Sequence, residues 1–469
     1  MSDREPSRLD PDLLDAVARF GDEAVSFQSL ESGLSLWRDE PAPGGTGAVI
    51  AYADTGTGWV AAGGPLAPAP ERARAAERFA AAARDAGRRA CFFACESPAE
   101  LGDVDSLFLG EQPIFRPATW IAELSGRRRL REQLRRVRAK GVRVRRVAPA
   151  ELDPGAPLRA AVDGLAELWL RSRRMEPMGF LVTVEPFHAP DQHHYFAAEK
   201  DGRLLAFLSA VPICARRGWL VEDVLRDPDA PNGTAESLLD ALMREVVDSP
   251  MVTLGLAPLT GPVAPWQRAI RSLARPLYDF RGVRAFKERL RPSSWQRVWL
   301  AHPRGERTAL HLVESLRAFA GGSLVRFGLR TAVRHPGVPP LLLALPLVPW
   351  TLVLAVRAAA GMTMLLGWSR EVLAAWAVFD ALLCAALFRV ALRPSPRHLL
   401  FAAAAAAIDA CLSLHHLFAT GIGVTSGQVL FRALQTAAPV LGTAALLWAA
   451  SRALALARLR APPMHGQVT

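Results

Sequence analysis

Along this chain of 469 residues the apolar positions keep two different rhythms. In roughly the first 335 residues, short apolar runs alternate with amphipathic stretches. After His335 the apolar runs become nearly continuous. In the first region, GAVIAYADTGTGWVAAG (47–63) reads as alternating strand material closed by a Gly63-Gly64-Pro65 turn. An Ala/Arg/Glu helix is expected over 71–86 and a buried strand, RACFFACE, over 89–96. Strand, helix, strand predicts a layered α/β or α+β domain. A second unit of this kind begins near residue 158. It comprises a helix at 161–174, a hairpin at 193–213 turning on Asp201-Gly202, and a strand at 218–233 that runs into a Pro/Asp/Asn/Gly loop. A helix follows at 234–247, with Leu238, Leu239, Leu242 and Val246 on one face, then a strand and turn at 252–261.

Four apolar stretches, at 338–356, 372–388, 399–420 and 429–451, approach the roughly 20 residues that a membrane span needs. Pro339, Pro340, Pro346 and Pro349 in the first are tolerated better in a membrane helix than in a lone soluble one. The expected organisation is a first domain over 1–150 that includes a basic helix at 127–140, a second over 151–305, a linker over 306–337, four membrane helices over 338–452 and a tail over 453–469. Arg326, Arg330 and Arg334 precede the first span, Arg389, Arg393 and Arg397 lie between the second and third, and Arg452, Arg458 and Arg460 follow the fourth. The third loop, TGIGVTSG, has no charge, and the loop between the first two spans is mixed, with Arg357 and Arg370 against Glu371. This arrangement predicts that both the N-terminal region and the C-terminus are cytosolic, at the cell membrane. Asp380, Asp409, His415, His416, Arg432 and Gln435 fall inside apolar stretches, as a polar path or as pairs that hold the bundle together.

An apolar fraction of 51% and a mean hydropathy of +0.14 agree with a membrane block. The formal charge is +11, of which the chain from Pro336 onward, with nine Arg against Glu371, Asp380 and Asp409, carries +6. The first region is thus only mildly basic overall, and its charge matters where it clusters. It clusters in RRRLREQLRRVRAKGVRVRR (127–146), with eleven Lys and Arg against Glu132. Leu130, Leu134 and Val137 give this helix one apolar face, and Gly141 ends it. Its outward arginines, Arg128, Arg131, Arg135 and Arg138, form either a phosphate-tracking surface for RNA or anionic lipid, or a solvated face in an arginine-rich chain. Five cysteines, Cys91, Cys95, Cys214, Cys384 and Cys411, do not suggest a disulfide framework, and MSDREPSRLD contains no apolar export signal.

The loop PDAPNG between a strand and a helix presents free backbone N–H groups to an anion. GCN5-related acyltransferases hold a cofactor pyrophosphate this way, but their Gln/Arg-x-x-Gly-x-Gly/Ala signature is missing, which counts against acyl-coenzyme A as donor. EDVLRDPDAPNGTAESLLDALM, LGLAPLTG and LYDFRGVRAFKERLRPSSWQRVWLA (277–301) instead resemble, in order, the catalytic domain of phosphatidylglycerol lysyltransferases, the multiple-peptide-resistance-factor type of aminoacyl-phosphatidylglycerol synthase. GWVAAGGPLAP, LREQLRRVRAKG and the stretch from Trp169 to Phe180 extend the resemblance over roughly residues 20–305. It implies tandem GCN5-related acyltransferase folds, here followed by an all-α four-helix membrane block, that move an aminoacyl group from charged tRNA to a hydroxyl of phosphatidylglycerol or another anionic lipid. No cofactor beyond aminoacyl-tRNA as co-substrate is implied. The alternatives are a related transferase with another lipid, sugar or peptide acceptor, and a non-catalytic lipid- or RNA-binding domain. The family commonly has Gly-Asp-Pro where this chain has Gly63-Gly64-Pro65, and its membrane helices usually precede the catalytic domain rather than follow it.

Attack of a hydroxyl on an aminoacyl ester needs help with deprotonation, donors for the oxyanion and cations for phosphates. Lys287 matches the family lysine, as a phosphate ligand or as the acid for the leaving 3′-oxygen, and Arg226 and Arg284 match family arginines suited to clamping phosphate. Glu222 and Asp223 are adjacent acids at the end of an apolar strand; strict alternation lets only one face the site, as base or as partner of the substrate amino group. Asn232 and Gly233 supply a turn and helix N-terminus, as an anion cradle or merely a cap, and Tyr278 donates a hydrogen bond or packs. There is no Ser-His-Asp arrangement and no metal cluster; His193 and His194 are adjacent, which rarely suits one ion.

Overall fold

A computed structural model describes residues 10–39, 47–173, 175–274, 278–361, 369–420 and 426–458, with side chains except at 273, 416–420, 426–436 and 455–458. The expectations for Arg460 and the tail from 459, for most of TGIGVTSG, for the extreme N-terminus and for Arg174, and those for the side chains of His416, Arg432, Gln435 and Arg458, lie outside the described residues. The chain divides into two compact units. One contains residues up to Phe327 apart from Arg174–Glu176, and the other contains those three and the chain from Gly328.

The first unit is built on strands β1 (Ser35–Arg38), β2 (Val49–Asp54), β3 (Gly58–Ala62), β4 (Arg89–Cys95), β5 (Val104–Phe115), β6 (Arg143–Val147), β7 (His194–Lys200), β8 (Arg203–Ile213), β9 (Gly218–Arg226), β10 (Val252–Thr253), β11 (Ala257–Pro258) and β12 (Ser294–Pro303). They form one sheet in the order β1-β2-β3-β4-β12-β5-β10-β9-β8-β7-β6, with β11 pairing β5. The same motif occurs twice. Antiparallel β1-β2-β3 leads through the helix Ala69–Asp85 to β4, parallel to β3; antiparallel β7-β8-β9 leads through the helix Thr234–Glu245 to β10, parallel to β9. This is the mixed α/β, tandem GCN5-related acyltransferase-like architecture expected from the sequence. The Asp201-Gly202 turn is as expected too, both residues having positive φ (51° and 74°).

Two placements differ from the expected boundaries. The basic helix Arg128–Ala139, assigned above to the first domain, packs Leu130, Leu134 and Val137 with Leu238, Leu239 and Leu242 of the crossover helix and with Phe196 and Leu208 of β7 and β8. Its apolar stripe therefore belongs to the core of the second repeat. β12 crosses back and pairs antiparallel with β4 and β5, in the middle of the first repeat's strands. Its partner strands lie about 180 to 210 residues earlier in the chain.

In the second unit four helices, Val338–Ala359, Arg370–Leu392, Pro396–Thr420 and Ser426–Arg458, follow the four apolar stretches. Within them, Val338–Ala359, Arg370–Leu392, Pro396–His415 and Ala437–Leu454 are long and apolar enough to cross a membrane. Small side chains, among them Ala344, Ala402, Ala403, Ala449 and Ala450, make the interhelical core. Leu342, Leu352, Val378, Leu382 and Phe401 point outward and are exposed. An apolar exterior around a small-residue core is what a lipid solvent selects, and the unit reads as membrane-spanning. Asp380 is buried among these helices, while His415 is exposed.

Candidate active site

The two repeats differ where their parallel strands meet. β3 and β4 stay paired over five positions, Gly58–Ala62 against Arg89–Phe93. β9 and β10 pair only at Trp219–Val252 and Leu220–Thr253; the chain then leaves β9, and β11 joins β5 at Gly110 and Glu111. From Val221 to Arg226, β9 keeps β8 on one side and, among the described residues, has no strand on the other. An unpaired strand edge beside a loop and a helix N-terminus is the open place in this sheet, and Glu222, Asp223 and Arg226 lie along it.

A β-bulge sits in the middle of this edge. Ser209 faces Asp223 and Ala210 faces Val221, so Glu222 is the extra residue. The bulge breaks the alternation on which the sequence reading of these two acids rests, and both side chains are withdrawn from water. Burial, then the neighbouring Glu222 charge, pushes the Asp223 carboxyl up to about 8; its described hydrogen-bond partner is Ser209 Oγ at 3.5 Å. Glu31, in a neighbouring turn, is also held well above the usual carboxylate range by burial and by the charges of Glu222, Glu185 and Asp223. Among the described residues no Lys or Arg forms an ion pair with Glu31, Glu222 or Asp223, so no basic side chain balances this group of carboxyls.

Arg226 points into the loop that follows, donating to the carbonyls of Ala230 (2.9 Å) and Pro228 (3.4 Å), and its buried Nε has no partner among the described residues. Asp227 pairs with Arg203 and accepts the Asp229 N–H at 2.8 Å. Asn232 is exposed at the tip. Gly233 caps the crossover helix with φ +103°, and a Cβ there would meet Gln133 Cγ at 2.6 Å and Val137 Cγ2 at 2.8 Å. Glycine is needed because the basic helix passes directly over the loop. On that helix Arg128, Arg131, Arg135 and Arg138 are all exposed. Arg135 pairs with Glu132 (3.0 Å) and Arg138 with Asp240 (3.4 Å), whereas Arg129 and Arg131 form no ion pair with any described residue. Arg127, in the same basic run, is buried and donates to the carbonyls of Leu290 and Arg291, which is a structural use of an arginine.

Lys287, on the helix Phe280–Arg289, is also buried. Its Nζ donates to three consecutive carbonyls, Leu254 (2.8 Å), Gly255 (2.7 Å) and Leu256 (2.9 Å), in the turn where the chain leaves β9 for β5. Burial, then the nearby Arg284 charge, pulls its amine down to about 7, yet only an ammonium has three protons for three acceptors. All its donors are spent on that turn, so in this conformation Lys287 shapes the open edge rather than reaching a phosphate. Arg284 is equally engaged, with Glu111 (2.7 Å), Glu288 (2.6 Å) and the Trp295 ring, whose centroid is 3.3 Å away. Tyr278 lines a cavity of about 100 Å³ with Arg271, Ser272, Asp279, Phe280 and Arg281, and none of the other predicted residues lines it. Burial raises its hydroxyl pKa.

Two features went unread in the sequence. Glu23 and Glu96 form a buried carboxylate pair. Glu23 accepts the Gly64 N–H (2.6 Å) and the Glu96 N–H (2.8 Å), while Glu96 binds Arg216 (2.5 Å), Gln112 (2.9 Å) and Gln296 (2.7 Å). Burial and Glu96 push Glu23 up to about 7. A carboxylate thus stands beside Gly64, where the sequence itself lacks an acid. The second feature joins His188, His193 and Glu222, whose donor atoms all lie within 4.8 Å of one another. The His188–His193 spacing was the available signal, but its partner lies on a strand 29 residues further along.

The model of the phosphatidylglycerol lysyltransferase C-terminal family matches residues 16–302, well over half of the chain. The chain belongs to this family. Members of the phosphatidylglycerol lysyltransferase family are lipid aminoacyl transferases, which makes this chain a transferase by descent. Among solved structures, it is similar to the C-terminal domain of a putative lysylphosphatidylglycerol synthetase from Agrobacterium fabrum, at 23% identity over 67% of this chain and 97% of that one, with a TM-score of 0.55. It is also similar to the L-PGS of Bacillus licheniformis, at 21% identity over 70% and 99%, with a TM-score of 0.56. At these identities the structures speak for the fold. No curated protein matches.

Proposed function

We propose that this protein transfers a cationic aminoacyl group, lysyl or similar, from charged tRNA to the head-group hydroxyl of phosphatidylglycerol at the cytosolic face of the cell membrane. The observation that carries this reading is the cluster of buried carboxyls at the open β9 edge, Glu31, Glu222 and Asp223, with which, among the described residues, no Lys or Arg forms an ion pair. Carboxyls clustered in this way favour an ammonium-bearing group, which restores their ionised form. A charged tRNA is a polyanion that ends in such a group. The exposed arginines of the helix Arg128–Ala139, which passes over the Gly233 loop, supply the complementary surface for the polyanion. Four membrane-crossing helices in the same chain bring the transferase to its lipid. Arginines flanking these helices support a cytosolic orientation.

In the proposed reaction the glycerol hydroxyl attacks the aminoacyl carbonyl, the tRNA 3′-oxygen leaves, and a proton passes from the one oxygen to the other. Asp223 anchors the substrate ammonium, Arg226 holds the loop that receives the donor's 3′ end, and Lys287 fixes the turn opposite. The test is the detergent-purified full chain incubated with radiolabelled aminoacyl-tRNAs and phosphatidylglycerol vesicles. Labelled lipid is expected with lysyl-tRNA, is lost on ribonuclease treatment and is abolished by Asp223→Asn. No labelled lipid with any aminoacyl-tRNA, or product formed from the free amino acid, refutes the proposal.

A further inference from the structure

His188 and His193 are drawn together by a tight turn in which Ala189 takes a left-handed conformation (φ +45°). Each ring places Nδ1 against a backbone carbonyl, His188 on Glu185 O at 2.7 Å and His193 on Ala189 O at 3.0 Å. A carbonyl only accepts, so Nδ1 carries a proton in both rings, and in the neutral ring Nε2 is left with a lone pair. Both Nε2 atoms point at the Glu222 carboxylate, at 3.9 Å and 3.4 Å. All four atoms, two imidazole nitrogens and two carboxylate oxygens, are buried and have no hydrogen-bond partner among the described residues. The His193 side chain is 0% exposed, that of Glu222 4% and that of His188 9%.

Lone pairs that converge without protons between them are arranged for a cation. Zinc at its usual bond lengths of 2.0–2.2 Å sets tetrahedral donors about 3.4 Å apart, so the two histidine–glutamate separations are close to a ligand set already. Carbonyl partners on the far nitrogens are the outer support that metal-bound histidines characteristically have. The β-bulge explains how strand β9 turns Glu222 toward this point. Neutral imidazoles with one carboxylate suit a divalent first-row transition ion rather than Mg²⁺ or Ca²⁺, which prefer oxygen.

We infer that His188, His193 and Glu222 form a site for a divalent transition metal of the zinc class. The ion ties the turn at 185–193 to the bulge of β9, and at least one coordination position is left for water or a further oxygen. The ion balances Glu222 and leaves Glu31 and Asp223 for a substrate ammonium, so the inference does not depend on which group the enzyme transfers.

The full chain in detergent, stripped with chelator, is titrated with Co²⁺ and read by its visible d–d absorption; zinc is then quantified by mass spectrometry after equilibration and desalting. One equivalent per chain is expected, with Zn²⁺ displacing Co²⁺ and bleaching the bands. His188→Ala, His193→Ala and the near-isosteric Glu222→Gln each lower affinity by at least about tenfold to a hundredfold. His194→Ala, whose ring lies against Trp219, retains the site. Circular dichroism identifies variants that fail to fold, and Glu222→Gln then decides the assignment. Wild-type protein that takes up far less than one equivalent overturns the inference, and so does full metal retention by folded Glu222→Gln. Because the readout is bound metal, a negative result here leaves the transferase assay untouched, and the reverse also holds.

Discussion

Gly233→Ala tests how tightly the basic helix and the loop of the open edge are coupled. At φ +103° an alanine costs about 1–3 kcal/mol in backbone strain. Its Cβ arrives 2.6 Å from Gln133 Cγ and 2.8 Å from Val137 Cγ2. Gln133 is long and can swing aside, giving up its 2.9 Å hydrogen bond to Glu236. Val137 is β-branched, 1% exposed and wedged in the core, so it moves only with its helix. Such overpacking costs about 1–3 kcal/mol more, for a total near 2–6 kcal/mol. Urea unfolding of the full chain in detergent, followed by tryptophan fluorescence, measures the loss. The second perturbation is Val137→Ala, which opens room where the new methyl lands. The double variant is expected to be less destabilised than the sum of the singles by about 1–3 kcal/mol, the clash portion. Strict additivity, or a Gly233→Ala loss under about 0.5 kcal/mol, refutes the contact as the reason for glycine.

Three further outcomes follow from the site. Lys287→Met removes three donors from three carbonyls, each worth about 1–3 kcal/mol if left dry, so deuterium exchange over 252–261 should rise along with loss of transfer; activity lost with exchange unchanged would make Lys287 a direct participant instead. Glu23 is raised from 4.5 to about 7 by folding, so the native state binds more protons than the unfolded chain between those values and its contribution to stability falls as pH rises through that window; Glu23→Gln should flatten this part of the stability–pH curve, and an unchanged slope rejects the assignment. Arg129→Gln with Arg131→Gln should weaken tRNA binding and reduce the salt dependence of log K by about 1.5–2, whereas an unchanged slope places the RNA elsewhere.

Much of this architecture could be read locally. The Asp201-Gly202 hairpin, the PDAPNG loop and the apolar stripe of Leu130, Leu134 and Val137 are short-range signals, and each corresponds to an element in the structure. What was not legible depends on partners distant in sequence. SSWQRVWLA follows a helix motif and says nothing of the fact that its strand enters between β4 and β5. The apolar stripe identified a helix but not which repeat it covers. Glu222 and Asp223 were found from their position, but a bulge is an irregularity that period-two reasoning excludes by construction. Lys287 was singled out by resemblance, whereas its use of all three protons on 254–256 is a matter of tertiary geometry. The His188–His193–Glu222 cluster combines both difficulties, a left-handed alanine turn and a bulged strand.

The position of β12 also governs the order of events during synthesis. Until residue 303 has left the ribosome, β4 and β5 lack the strand that joins them, and both carry bare edges in a nascent chain. The first repeat therefore cannot mature by itself as the second is being made; it waits through nearly two hundred residues of translation. The first apolar helix, at Val338, comes off the ribosome soon afterwards. Closure of the sheet and delivery of the chain to the bilayer thus fall close together in time, and chaperone capture or premature proteolysis should be concentrated in that interval.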